Sequence, residues 1–87
     1  MKIKEGFITR KIGETYYAVS FDSSSAIGNG MIKLTGSAYF IWKMLEEGAD
    51  ETQILAAMKE NFRADEDVLR RDISAFVVKL SELGIIE

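Results

Sequence analysis

The sequence predicts an α+β domain, with three short antiparallel strands followed by three helices, and three observations carry that expectation. Two segments rich in β-branched and aromatic residues flank Gly13-Glu14. A polar, small-residue connection follows and closes on Asn29-Gly30, the strongest short turn signal in the chain. Beyond Thr35 the apolar spacing changes from the period of a strand to that of a helix.

The first two strands are Phe7-Ile-Thr-Arg-Lys-Ile12 and Thr15-Tyr-Tyr-Ala-Val-Ser-Phe21. Glycine at the first central position of the two-residue link suits a type II′ hairpin turn. Tyr17, Val19 and Phe21 share one face of the second strand and are expected to face the core, leaving Tyr16, Ala18 and Ser20 outside. Residues 22–30 read as a loop. A phosphate cradle there would need a helix N-terminus directly after it, whereas a strand follows. That third strand is Met31-Ile-Lys-Leu34.

Thr35 is placed to cap the first helix, whose Ala38, Ile41, Trp42 and Leu45 recur at i, i+3, i+4 and i+7. Gly48 can close it in the left-handed conformation. Asp50-Glu-Thr-Gln53 has the spacing of a capping box, and Ile54, Leu55, Met58 and Phe62 supply the buried stripe of a second helix running to about Asn61. Asp65-Glu66-Asp67 places negative charge at the start of the third helix, where the helix dipole favours it. Leu69, Ile73, Phe76, Leu80 and Leu83 form its core stripe, and Gly84 sits where a Schellman motif would bring Ile85 against Leu80. Strands followed by a helix pair with a short link make the arrangement of a winged helix-turn-helix.

Eighty-seven residues are expected to form one domain, 1–87, with little core to spare. The chain has no run of about 18 apolar residues and no secretory signal pattern at its start, which predicts a cytoplasmic protein without membrane attachment. It contains no cysteine and no histidine. The usual metal ligands, thiolate nucleophile and general base are therefore missing, and neither catalysis nor a cofactor is expected. Glu46-Glu47 and Asp65-Glu66-Asp67 sit at helix ends, where capping and solubility account for them. The net charge of −3 is unevenly spread: residues 1–43 carry six basic and three acidic groups, and residues 44–87 five and eleven. Nucleic-acid binders put their basic face on the reading helix, so an acidic helical half argues against nucleic acid.

Two features could bind a peptide. If residues 31–34 form an edge strand, their free backbone groups can accept an extended segment as a further strand, and a proline at Ile32 tests this if its N–H faces the open edge. Lys33 can equally serve only to keep that edge from self-association. On the third helix, Arg71, Ser74 and Val78 share a band beside Val77 that is basic at one end and apolar at the other. Alternatively, Arg70 and Arg71 pair with Glu66 and Asp67 along a solvated face. Trp42 reads as a core anchor, while Tyr39 and Phe40 project from other faces and are candidates for docking a partner enzyme.

From Gly30 onward, Gly-Met-Ile-Lys-Leu, a Tyr-Phe-Ile-Trp helix closing in Leu-Glu-Glu-Gly, and Arg-Arg-Asp-Ile-Ser-Ala-Phe-Val-Val-Lys-Leu ending Leu-Gly-Ile-Ile resemble the PqqD family, also called the RiPP recognition element. Over residues 1–29 the likeness rests on strand character alone. Thr35 and Ala38 stand where the family often has Asn and Gly; neither change threatens the fold. The resemblance implies a winged-helix module that binds the leader segment of a precursor peptide through Met31, Ile32, Lys33 and Leu34. The segment would lie against Arg70, Arg71, Ser74, Val77 and Val78 and be presented to a modifying enzyme, often a radical S-adenosylmethionine protein. Two alternatives stay open: a winged-helix DNA-binding regulator, opposed by five acidic against three basic groups over residues 65–83, and a module that forms a homodimer through its third strand.

Overall fold

The computed structural model describes residues 2–20 and 31–86. Strands β1 (Phe7–Ile12), β2 (Thr15–Ser20) and β3 (Met31–Leu34) form one antiparallel sheet in the order β1-β2-β3, followed by helices α1 (Ser37–Glu46), α2 (Glu51–Asn61) and α3 (Glu66–Glu82). Phe21 and the expected 22–30 loop lie outside the described residues. Gly13 has φ 64° and no non-glycine among the described residues takes positive φ, so the hairpin turn is the expected type II′.

The core face of the sheet is the reverse of the expected one. Ala18 and Ser20 are buried, and Tyr16 lies half-buried with its ring stacked 3.9 Å from that of Tyr39. Both faces of β2 carry apolar side chains, so its own sequence leaves the choice open. Pairing decides it: Ala18 stands opposite Ile32 and Tyr16 opposite Leu34, and cross-strand partners share a face. β3 alternates cleanly, with Ile32 and Leu34 buried and Met31 and Lys33 exposed. The face that β3 must bury therefore selects Tyr16, Ala18 and Ser20.

The helices cover that face. Ile41, Trp42 and Leu45 of α1, Ile54, Leu55 and Met58 of α2, and Leu69, Ile73, Val77 and Leu80 of α3 join Ile32, Leu34 and Ala18 in one cluster. Val77 is thus part of the core rather than beside it, whereas Phe76 and Leu83 are only partly buried. Tyr39 and Phe40 are packing residues, not free docking groups: Tyr39 stacks on Tyr16, and Phe40 meets Phe62 edge-on at 5.3 Å. Lys4 N–H donates to the Ile85 carbonyl at 2.8 Å, and Ile3 bridges Ile86, tying the start of the sheet layer to the end of the helical layer.

The local stop signals behave as the sequence predicts. The Asp50 side chain accepts from Gln53 N–H at 2.8 Å while Gln53 Oε1 accepts from Asp50 N–H at 2.9 Å. Paired bonds at Gly48 and Ala49, and at Gly84 and Ile85, make Schellman caps on α1 and α3. The start of α1 differs from expectation. Gly36, not Thr35, is the N-cap, at φ 54° and ψ −125° with no side-chain cap. The chain reverses from strand to helix there through a region that essentially only glycine occupies. A Cβ at Gly36 would meet nothing within 4 Å, so Gly36→Ala should lose stability through backbone strain alone, about 1–3 kcal/mol. Urea titration against wild type checks this, and an unchanged midpoint would refute the strained turn.

Candidate functional site

β3 pairs with β2 on one side only, so its other edge is open among the described residues. Which of its backbone groups point outward follows from the register. In a two-residue hairpin the flanking pair, Ile12 and Thr15, is hydrogen-bonded, and the pattern alternates from there. Thr15, Tyr17 and Val19 therefore direct N–H and C=O to β1, and Tyr16 and Ala18 direct theirs to β3. Their partners Leu34 and Ile32 point back at β2, which leaves the N–H and C=O of Met31 and Lys33 on the open edge. The Ile32 N–H thus faces the sheet interior, and the proline test belongs at Lys33.

The named residues of α3 do not form one surface. Arg70, Ile73 and Ser74 line a groove with Glu51, Thr52 and Leu55 of α2. Val77 is buried, and Arg71 and Val78 are exposed on the remaining face of the helix. A second groove lies on the other side of α3, where Asp72, Ala75, Phe76 and Lys79 face Ser37, Ala38 and Ile41 in the first turns of α1. α1 begins three residues after β3 ends, so the α1 side of this groove follows closely on the strand along the chain. The structure therefore gathers Asp72, Phe76 and Lys79 with the start of α1, and sets Arg70 and Ser74 with α2. The residues of α3 that line this groove carried a signal in the sequence, because 72, 75, 76 and 79 recur at i, i+3, i+4 and i+7. Assigning Phe76 wholly to the core concealed it.

The electrostatics sharpen this separation. Glu66 Oε1 accepts from Lys59 Nζ at 2.8 Å and Glu66 Oε2 from Arg70 at 3.1 Å, so Arg70 is engaged as its sequence context suggested. The Lys59 hydrogen bond first, and then that of Arg70, hold the Glu66 carboxyl below the usual carboxylate range. Arg71 makes no ion pair among the described residues. A carboxyl with a lowered folded-state pKa contributes stability above its unfolded pKa and loses it as pH falls through the folded value. Glu66→Gln should therefore melt slightly lower than wild type near neutrality and coincide with it once acid has protonated Glu66. Thermal scans from pH 7 to pH 3 test this; a gap independent of pH would exclude the ion pair as its source.

In the groove between α1 and α3, Phe76, Ala38 and Ile41 offer an apolar floor, with Asp72 and Lys79 on the rim. These two opposite charges stand seven residues apart on α3, about 10 Å along its axis. Such a groove can seat one apolar side chain of an extended segment and discriminate its flanking charges. Among the described residues no group of three His, Cys, Asp or Glu side chains could hold a metal, and no helix is long and apolar enough to cross a membrane.

The fold is shared with known structures. TbiB1 in complex with the TbiA(beta) leader peptide superimposes with a TM-score of 0.79 at 22% identity, over 100% of this chain and 95% of that one. A lasso peptide synthetase B1 complexed with the leader peptide gives 0.76 at 17% identity, over 97% of this chain and 93% of that one. No curated protein matches the chain. The family model for coenzyme PQQ synthesis protein D (PqqD) matches residues 14–86, from the hairpin turn through the last helix and its cap. The chain belongs to the PqqD family.

Proposed function

We propose that this protein captures the leader segment of a ribosomally made precursor peptide as a fourth strand along β3 and holds it for a modifying enzyme, without catalysing a reaction itself. The observation that carries the reading is the open edge of β3, where Met31 and Lys33 leave their backbone groups unpaired by β2, and the groove between α1 and α3 begins three residues further along the chain. Main-chain pairing supplies affinity that is indifferent to sequence, and the groove supplies selection. Ile32 and Leu34 fix the strand from beneath through their buried side chains. Phe76 takes an apolar anchor of the leader, and Lys79 favours an acidic residue near it. Membership of the PqqD family supports this, as do the leader peptides named in the two similar complexes.

Arg71 and Val78 would meet only a leader long enough to pass over α3, and Arg70 and Ser74 one that also reaches α2. The benefit is a high local concentration of the precursor core at the partner's active site, with the partner enzyme a radical S-adenosylmethionine protein or another peptide-modifying enzyme of the cytoplasm. Calorimetric titration with the N-terminal segment of a short peptide encoded beside the gene, with duplex DNA in the same buffer, tests the reading. Micromolar or tighter peptide binding with silent DNA is expected. DNA binding that weakens steeply with salt would replace the reading with a winged-helix regulator. Silence toward peptide, together with sedimentation that reports dimers, would replace it with self-pairing of β3.

A further inference from the structure

The sheet has a second face that no helix among the described residues covers. Side chains alternate along each strand, so the face opposite the core carries Ile8, Arg10 and Ile12 from β1, Thr15, Tyr17 and Val19 from β2, and Met31 and Lys33 from β3. The register arranges them in rows: Ile8, Val19 and Met31 form an apolar row across all three strands, and Arg10, Tyr17 and Lys33 a cationic row beside it. Five large apolar side chains are exposed among the described residues, and Ile8, Ile12 and Met31, three of the five, stand on this one face. Among the described strand residues no carboxylate stands on it, although the helical half of the chain is strongly acidic.

We infer that this outer sheet face is the docking surface for the peptide-modifying enzyme, through a patch of that enzyme with an apolar centre flanked by carboxylates. The face is unfavourably solvated along the row of Ile8, Val19 and Met31, and a partner that covers the row gains apolar burial. Arg10 and Lys33 lie one row further along and select acidic flanks. Tyr, Met and Arg are the types enriched at protein interfaces, and all three are present. Two cations beside an apolar row are too few to hold a nucleic-acid backbone or an anionic bilayer, which are met by clusters of lysine and arginine.

β3 links this face to the leader site. Its Met31 and Lys33 send backbone groups to the open edge in the plane of the sheet and side chains out onto the docking face. A leader strand added at that edge lies about 4.8 Å further on and lengthens each row by one residue. The enzyme would then rest on the chain and on alternate residues of the leader together, and would prefer the loaded complex to the empty chain. The choice of the modifying enzyme as occupant and this coupling both rest on the proposed function, while the exposed apolar row does not.

The test uses the peptide-modifying enzyme encoded beside the gene, with its affinity for the full chain measured by biolayer interferometry with and without leader peptide. An Ile8→Thr/Arg10→Glu variant changes only β1, two strands away from the leader edge, with residues that strands tolerate. It should bind the enzyme at least about tenfold more weakly while keeping its leader affinity. Arg10→Glu alone changes one exposed side chain and should weaken enzyme binding most at low salt. Enzyme binding equal to wild type in both variants overturns the inference, as does a wild-type chain that fails to bind the enzyme in either state. Phosphatidylglycerol vesicles or duplex DNA that bind wild type and not the variants would also overturn it, assigning the face to an anionic surface. If the leader fails to bind in calorimetry, the leader reading falls, while the enzyme measurement on the empty chain still decides the face.

Discussion

A Lys33→Pro variant is expected to fold and to bind leader peptide roughly ten- to a hundredfold more weakly, the effect of one unmet main-chain hydrogen bond in an otherwise paired strand. The residue lies on an edge strand with its N–H turned away from β2, one of the few strand positions where proline is tolerated. Ile32, which precedes it, is already extended, as a residue before proline prefers. The adjacent substitution should do the opposite. Ile32→Pro removes a donor from the β2–β3 ladder and disturbs a side chain that is only 7% exposed, so loss of structure is expected there. Lys33→Ala keeps the backbone donor and should bind much as wild type does. Circular dichroism separates folding from binding, and calorimetry reads the affinity. A folded Ile32→Pro protein beside a Lys33→Pro protein with full affinity would mean that the register is shifted by one residue.

Trp42→Ala is the largest expected stability effect in the chain. Trp42 is fully buried, it meets the ring of Phe7 edge-on at 5.8 Å, and it shares the core with Ile41, Leu45 and Leu34. Truncating a buried aromatic of this kind costs about 3–5 kcal/mol. Domains hold roughly 0.05–0.15 kcal/mol per residue, so a chain of this size has about 4–13 kcal/mol in all. The variant should therefore be partly or wholly unfolded at 37 °C by thermal melting. Trp42→Phe should be far milder. It keeps an aromatic ring in place and removes an indole N–H that has no acceptor among the described residues, which offsets part of the lost packing. Equal losses in the two variants would show that ring volume is not what holds this core.

The sequence by itself determined the features that depend on neighbours a few residues away. The Gly13-Glu14 turn, the Asp50-Gln53 capping box and the glycine caps at Gly48 and Gly84 are each closed by hydrogen bonds or dihedral needs within one turn of chain. Element order followed from the change in apolar period, which is also local. The tertiary structure decided questions of parity and of facing. Strand side chains repeat every two residues, so β2, apolar on both faces, took its core face from its register with β3. The same register decided that Lys33 and not Ile32 turns its N–H to the open edge. On α3 a wide apolar stripe admits more than one rotation, and packing buried Val77 while leaving Phe76 partly open over the groove. That rotation set Arg70 toward α2 and Lys79 toward α1, a choice no local interaction along α3 could fix because it depends on which neighbour each side of the helix meets.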